Sequence, residues 1–315
     1  AGTAITTGGT NVAIGKNALQ SEDTGSSNVA VGYGTLAALN YNGAGYNVAV
    51  GHVAGAGVTT GVQNTLIGGL SGDAITTADN NTAVGYASLT ANTTGSNNTT
   101  TGAYALFSNT TGSWNTAQGY NALFANTTGA SNVALGSYAL DANTTASNNT
   151  AVGYAALTAG TTGGYNVALG ASALASNTTA TNNVAVGFGA LTANTTGTSN
   201  VSLGAYSLSA NTTANNNTAL GHGTLNVNTT GASNTAVGSI VLAANTTGTK
   251  NVCIGYGAGD AITTGSNNTI IGDYAGTTAM ADTIVLASGT TERLRIDSSG
   301  NVIIAAGSLG STAAA

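Results

Sequence analysis

Short apolar stretches alternate with polar stretches at a fixed interval along this chain. In the segment NTAVGYASLTANTTGSN, residues 81–97, a period-two aliphatic stretch is followed by a glycine, a second apolar group and the polar sequence NTTG. The first stretch predicts a short strand, and NTTG predicts its turn. Units this short cannot bury a core alone, but stacked copies bury a continuous one. The pattern therefore predicts an all-β protein, a β-solenoid (β-roll) of 17-residue repeats.

An asparagine starts each repeat, and each repeat is called a coil and named here by that asparagine. The sixteen starting residues are Asn11, Asn28, Asn47, Asn64, Asn81, Asn98, Asn115, Asn132, Asn149, Asn166, Asn183, Asn200, Asn217, Asn234, Asn251 and Asn268. Steps are 17 residues except between Asn28 and Asn47, where two residues are inserted around 39–43. We predict a partial repeat and N-terminal cap at 1–10, the solenoid at 11–281, and a C-terminal β-meander and tail at 282–315. Asn, Thr and Gly at this density argue against helical repeats.

Residues at one repeat position in successive coils form a column. Position 1 is Asn and position 5 is Gly in all sixteen coils. Stacked asparagines predict hydrogen bonds along their column. The glycines predict a backbone angle or a close approach that a side chain would forbid. Position 4 is Val, Ile or Leu in fourteen coils, and the exceptions are Thr101 and Gln118.

Position 9 is Leu in twelve coils, and its exceptions are compensated nearby. Position 12 becomes aliphatic where position 9 is Gly, as in the pairs Gly55 with Val58, Gly72 with Ile75 and Gly259 with Ile262. Because close-packed cores do not tolerate an empty leucine site, both positions are expected to fill the same space.

The expected core contains positions 2, 4 and 9. The residues predicted to face inward include Val84, Leu89, Val152, Leu157 and Leu174. Position 3, Ala in eleven coils, would then face outward as a smooth stripe. We expect this stripe, which includes Ala117, Ala151 and Ala185, to pack against other chains. The alternative is that alanine fits a tight coil interior.

Composition restricts the possible partners. Only 4% of residues are charged, 42% are hydrophobic, and none is proline. A net charge of −6 with four basic residues argues against nucleic-acid binding, and the short apolar runs argue against membrane insertion. The single Cys253 replaces an alanine of the repeat, which predicts a small buried side chain rather than a reactive thiol.

No constellation of residues indicates catalysis. His52 and His222 lie ten coils apart, and no Cys and His occur at metal-ligand spacing. Asp260 and Asp273 lie in adjacent coils and are interpreted as solvated turn acids, with a weak cation site as the alternative. We therefore predict a non-enzymatic protein with no catalytic residue, cofactor or metal site.

Two further patterns each have two interpretations. Tyrosines recur at positions 6 and 7, and adjacent strand positions face opposite ways, so one uniform stripe is not expected. They either pack between coils or chains, or stack on sugar rings. The tyrosines are Tyr33, Tyr86, Tyr104, Tyr120, Tyr138, Tyr154, Tyr206, Tyr256 and Tyr274.

The NTT sequences are formal glycosylation sites, with a turn asparagine followed by a threonine ladder as the alternative. Their asparagines are Asn92, Asn109, Asn126, Asn143, Asn177, Asn194, Asn211, Asn228 and Asn245.

From Asp282 the pattern changes to strand, turn, strand, turn, strand, with Ser288-Gly289 and Ser299-Gly300 as turns. The segment TERLRIDSSGNV, residues 291–302, resembles a stretch near the end of phage tail fibres and related bacterial surface proteins, where a self-cleaving intramolecular chaperone follows. The NTAVGY-type repeats resemble shafts of those proteins and, at a longer period, the head repeats of trimeric autotransporter adhesins. The resemblance implies homotrimers, exposure outside the cell or on a virion, and attachment or shaft roles.

The predicted function is a structural extracellular fibre, either a tail-fibre shaft or a cell-surface filament, that acts as a stiff spacer or adhesin. Its expected partner is itself, as a homotrimer or an end-to-end filament, with cell-surface glycans as a further candidate. The alternative is an ice-binding β-solenoid that uses the paired threonines from Thr59-Thr60 to Thr263-Thr264. A polysaccharide lyase is a more distant alternative.

Overall fold

The computed structural model describes residues 1–305, and this part of the chain is all-β with no helix. Its coils repeat about every 17 residues, so the predicted β-solenoid is confirmed. The chain divides into two compact units, Ala1–Asn166 and Val167–Ala315.

Each coil of the first unit contributes one three-residue strand at positions 2 to 4. Neighbouring strands pair in parallel with equivalent residues opposite each other, as in Thr82 with Thr99. The strands are β1 (Val12–Ile14), β2 (Val29–Val31), β3 (Val48–Val50), β4 (Thr65–Ile67), β5 (Thr82–Val84), β6 (Thr99–Thr101), β7 (Thr116–Gln118), β8 (Val133–Leu135) and β9 (Thr150–Val152).

The second unit continues the same pattern and ends in the predicted antiparallel meander. Its repeat strands are β10 (Val167–Leu169), β11 (Val184–Val186), β12 (Val201–Leu203), β13 (Thr218–Leu220), β14 (Thr235–Val237), β15 (Val252–Ile254) and β16 (Thr269–Ile271). The meander strands are β17 (Ile284–Ser288), β18 (Thr291–Ile296) and β19 (Val302–Ile304). β17 pairs in parallel with β16, whereas β18 is antiparallel to both β17 and β19. The meander therefore begins as a further strand of the solenoid sheet, and residues 306–315 of the predicted tail lie outside the described chain.

Strand orientation is the opposite of the prediction. Position 3 points inward: Ala117, Ala151 and Ala185 are buried, so the predicted outer alanine stripe is wrong. Val84 and Val152, predicted as core residues, are only half-buried. A three-residue strand turns its central side chain to one side and both flanking side chains to the other. Because the coil interior is narrow, it takes the small central residue.

The opposite wall of the core is formed mainly by position 9. Leu89, Leu157 and Leu174 are fully buried there, as predicted. The predicted compensation is also confirmed, since Val58, Ile75 and Ile262 are fully buried in the coils that have Gly at position 9. A Cβ on Gly259 would lie 2.9 Å from Sγ of Cys253, so positions 3 and 9 face each other across the interior.

The position-5 glycines have both the backbone angle and the close approach that were predicted as alternatives. Their φ angles lie between 112° and 141°, a region that side chains disfavour. A Cβ on Gly119 would lie 2.7 Å from the carbonyl carbon of Gly136 in the next coil. Glycine at this position therefore permits both the turn after the strand and the close stacking of coils.

Two buried asparagine columns join the coils. At position 1, Asn98 donates from its backbone N and its Nδ2 to Oδ1 of Asn81, at 3.0 and 3.2 Å. At position 12, Nδ2 of Asn109 donates to Oδ1 of Asn92 at 2.7 Å. Both columns also donate to the carbonyl at position 15: the carbonyl of Gly112 accepts from Asn98 and from Asn109, at 3.0 and 2.9 Å. The predicted asparagine ladder is confirmed and is doubled.

The position-12 column also decides between the two interpretations of its own NTT sequences. The nine NTT asparagines at position 12 are fully buried. Their amide nitrogens donate within the fold, as Asn126 does to Asn109 and to Gly129. A glycan on these nitrogens is incompatible with the folded coil, so the turn-asparagine interpretation is correct.

Candidate functional site

Aromatic side chains in five consecutive coils of the first unit form one exposed column at positions 6 and 7. The members of this aromatic column are Tyr86, Tyr104, Tyr120, Tyr138 and Tyr154. Successive ring centroids are 5.6, 6.0, 5.5 and 6.0 Å apart, and the ring planes cross at 76–87°. This is the edge-to-face geometry that the ring quadrupole favours.

The column exists because positions 6 and 7 lie after the strand. The strand ends at position 4, and the glycine at position 5 turns the chain. Tyr104 and Tyr138, at position 7, then adopt left-handed backbone conformations with φ of 59° and 61°. The prediction that positions 6 and 7 would face opposite ways is wrong, because strict alternation holds only within a strand.

The rings at position 6 are the most accessible members of the column. Tyr86, Tyr120 and Tyr154 are 52%, 46% and 60% exposed, whereas Tyr104 and Tyr138 between them are half-buried. The half-buried rings are therefore held between accessible ones, and the accessible rings recur in every second coil.

A second aromatic pair widens the middle of the column. Phe107 and Phe124 stack at 5.2 Å with planes 7° apart, and Tyr104 contacts Phe107 edge to face at 5.8 Å. Both phenylalanines are half-buried at position 10. The aromatic surface is thus about two side chains wide around Tyr104 and Tyr120.

The second unit has a shorter column. Phe188 and Tyr206 meet edge to face at 5.2 Å, and Tyr206 meets His222 at 6.4 Å. In the first unit, His52 stacks on Tyr33 at 5.4 Å. Each histidine therefore lies against an aromatic ring of its own unit. Within residues 1–305, no group of three His, Cys, Asp or Glu side chains is placed to hold a metal ion.

Asp260 and Asp273 come close together beside Gly257. A Cβ on Gly257 would lie 3.2 Å from Oδ1 of Asp273 and 3.6 Å from Oδ2 of Asp260. Burial raises the pKa of the Asp260 carboxyl, and the charge of Asp273 raises it further. The pair therefore places two neighbouring negative charges on the surface of the second unit.

Cys253 is fully buried, as predicted for a small core side chain. Burial raises the pKa of its thiol to about 12. The thiolate, which is the reactive form, is therefore scarce at neutral pH.

The paired threonines differ from each other in their surroundings. At position 13 the hydroxyl donates to the carbonyl of the equivalent residue in the next coil, as Thr110 does to Thr127 at 3.0 Å. At position 14 the side chains are exposed, as in Thr94, Thr111 and Thr128. The threonine pairs therefore offer one exposed column at position 14 and one half-buried column at position 13 whose hydroxyl groups are already hydrogen-bonded.

The outward side chains at positions 2 and 4 make a second surface, called here the strand face. Position 4 is aliphatic in fourteen coils, and several members are well exposed, including Ile14 at 59% and Leu203 at 48%. Sequence reasoning missed this surface because it placed these residues in the core.

The meander carries the one salt bridge found in residues 1–305. Arg295 pairs with Glu292, with Nη2 and Oε2 2.5 Å apart, and Nη2 also donates to the Tyr274 hydroxyl at 2.6 Å. The guanidinium lies 5.7 Å from the centre of the Tyr274 ring, at cation–π distance. These contacts attach β18 to the last coil of the solenoid.

Comparisons with protein-family models, curated proteins and solved structures find no match to this chain. Among residues 1–305, no helix is long and apolar enough to span a membrane.

Proposed function

We propose that this chain is a structural fibre protein that acts outside the cell or on a virion, as a stiff spacer or adhesin without enzymatic activity. The observation that carries the proposal is the pair of buried asparagine columns, in which side-chain amides join successive coils in addition to the backbone: the position-1 column runs through both units, and the position-12 column runs from Asn92 to Asn143 and from Asn177 to Asn245. Such axial hydrogen bonding resists bending within a unit. The resemblance of residues 291–302 to tail-fibre segments supports the location.

Self-association through the strand face is the second part of the proposal. Long exposed apolar surfaces normally mark an interface. Each unit presents such a face, formed by strands β1–β9 in the first unit and by strands β10–β17 in the second.

A second copy of this chain is the occupant that fits the strand face best. Its columns share the same spacing, so the side chains of two copies interdigitate at every coil, as in other stacked β assemblies. A net charge of only −6 over 315 residues produces little repulsion between copies. The family resemblance favours three copies around one axis.

The test replaces three strand-face residues with charged ones. In the variant Val50→Glu/Val84→Glu/Val152→Glu, sedimentation should show separated chains with an unchanged circular dichroism spectrum. The matched control, Thr60→Glu/Thr94→Glu/Thr162→Glu, places the same charges on the same coils at exposed position 14 and should stay assembled. Wild-type sedimentation of the first variant would contradict the proposed interface. Electron microscopy then distinguishes trimers from end-to-end filaments.

A further inference from the structure

The two polar interruptions of the strand face lie beside the aromatic column. Thr101 and Gln118 are the only position-4 residues that are not aliphatic, and both are exposed. Thr101 precedes Tyr104 in one coil, and Gln118 precedes Tyr120 in the next. Hydrogen-bonding side chains therefore replace aliphatic ones where the aromatic surface is widest.

The surroundings of the column are almost uncharged. Within residues 81–165 the only Asp, Glu, Lys, Arg or His is Asp141, and its Oδ1 accepts a hydrogen bond of 2.7 Å from the Thr158 hydroxyl. Aromatic rings with amide and hydroxyl groups and almost no charge suit a neutral, hydroxyl-rich ligand better than an anionic one.

The spacing of the accessible rings restricts the ligand further. Tyr86, Tyr120 and Tyr154 recur every two coils, which is roughly 9.5 Å at the usual strand spacing. In an extended β-1,4-linked polysaccharide, every second sugar presents the same C–H face, and its two-residue repeat is close to this spacing. Such faces pack on the apolar surface of a tyrosine ring while its hydroxyl stays in water.

We infer that the aromatic column, together with Thr101 and Gln118, binds a neutral β-1,4-linked polysaccharide that lies along the column. Sugars stack on Tyr86, Tyr120 and Tyr154, and Thr101 and Gln118 hydrogen-bond to the hydroxyl groups of the sugars. This inference deepens the adhesin role and rests on the proposed function for its biological setting.

The experiment titrates the full chain with cellohexaose and with N-acetylchitohexaose. Binding is followed by calorimetry and by the fluorescence of the single Trp114, which is 65% exposed just before β7. At least one of the two should bind, and Tyr120→Ala should weaken its binding at least fivefold. Gln118→Leu restores the aliphatic residue of other coils, so it should preserve the fold and also weaken binding.

Two controls keep the outcome clear. Tyr206→Ala removes the central ring of the shorter column in the second unit, where position 4 stays aliphatic, and it should leave binding unchanged. An α-1,6-linked glucan of the same length should not bind. Absence of binding to both β-linked hexasaccharides, equal binding by Gln118→Leu, or equal binding of the α-linked glucan would each overturn the inference. Sedimentation of the same samples reports assembly separately, so loss of the sugar site and failure of the fibre proposal remain distinguishable.

Discussion

Leu66 and Gly72 share one volume inside the Asn64 coil. A Cβ on Gly72 would lie 2.8 Å from Cδ2 of Leu66 and 2.8 Å from Cδ1 of Ile75. In seven of the sixteen coils the same three positions, 3, 9 and 12, are Ala, Leu and Asn. The interior therefore has two alternative packings: one has Leu at position 9, and the other, as in the Asn64 coil, has Gly there with larger apolar side chains at positions 3 and 12.

This coupling predicts strongly non-additive stability. Leu66→Ala alone should lower the free energy of unfolding by about 2–5 kcal/mol, and Gly72→Leu alone should lower it by about 1–3 kcal/mol through overpacking. The triple variant Leu66→Ala/Gly72→Leu/Ile75→Asn recreates the common packing and should recover most of the loss. Denaturant unfolding of the four proteins measures this, and additive losses would contradict a shared volume.

Gly160 interrupts the position-12 asparagine column, and this interruption predicts a stabilising substitution. Oδ1 of Asn143 is buried without a hydrogen-bond partner, and the next coil has Gly160 where an asparagine would donate to it. Gly160→Asn should raise the free energy of unfolding by about 1–2 kcal/mol, because it pairs a buried acceptor. Gly160→Ala adds the Cβ without the amide and serves as the control. Equal effects of the two substitutions would show that the amide adds nothing.

The orientation of the strand predicts a contrast within the Asn149 coil. Leu157 is fully buried, so Leu157→Ala should cost about 2–5 kcal/mol. Val152 is half-buried on the strand face, and in separated chains Val152→Ala should cost less than about 1 kcal/mol. Unfolding is best compared in the background that carries the Val50→Glu and Val84→Glu substitutions, which removes any contribution from partner chains. Similar losses of unfolding free energy for the two substitutions would contradict this strand orientation and would favour the opposite one.

The raised pKa of the Asp260 carboxyl predicts that Asp260→Asn increases thermal stability in a pH-dependent way. Burial and Asp273 raise the pKa of this carboxyl above its ordinary value of 3.8, so the folded chain holds the proton more tightly than the unfolded chain. The resulting stability is present below pH 3.8 and is lost as the pH rises through the folded pKa. Asp260→Asn should therefore match wild type in acid and unfold at a higher temperature at pH 7.

Asp297 provides the opposite control. Hydrogen bonds from Asn301 lower the pKa of the Asp297 carboxyl. The stability that this carboxylate contributes to the fold is therefore present at neutral pH and is lost in acid. Asp297→Asn should therefore lower thermal stability at pH 7. Higher thermal stability of both variants at pH 7 would indicate a general effect of net charge.

The engaged threonine hydroxyls predict an absence of antifreeze activity. Position-13 threonines are half-buried and their hydroxyl groups donate to backbone carbonyls, as Thr127 does to Thr144 at 3.0 Å, so only the column at position 14 is well exposed. A solution of the pure protein should show no thermal hysteresis. A freezing-point gap with faceted ice crystals would instead favour the ice-binding alternative.

The repeat length, the columns and the meander could be predicted because identical spacing forces equivalent residues into register. The direction of position 3 could not be predicted from one strand, since it depends on how close the opposite wall lies. A signal was nevertheless present. Position 3 is enlarged to Leu66, Cys253 and Ile270 in three of the four coils that have Gly at position 9, which would have placed both positions in the same interior.

The aromatic column was missed for a different reason. Tyr104 and Tyr138 have a left-handed backbone that the tyrosines themselves do not indicate. Glycines at the same position in other coils, Gly34, Gly189 and Gly223, share this conformation with φ of 62–63°. Their recurrence at position 7 was the available indication that the strand had ended and that strict alternation no longer applied.

The asparagine columns also determine how such a chain can change in length during evolution. Each position-1 amide accepts from the equivalent residue one coil later, as Asn98 does from Asn115 and Asn115 from Asn132. Deleting residues 115–131 would place Asn132 where Asn115 had been and would keep every type of bond. Losing a number of residues that is not a multiple of 17 would misalign the columns unless a turn absorbed the difference. The two extra residues before Asn47 are tolerated at a corner, where Ser26 still bridges to Ala44. Gene duplication or loss would therefore lengthen or shorten the molecule in whole coils, as countable steps of about 4.8 Å.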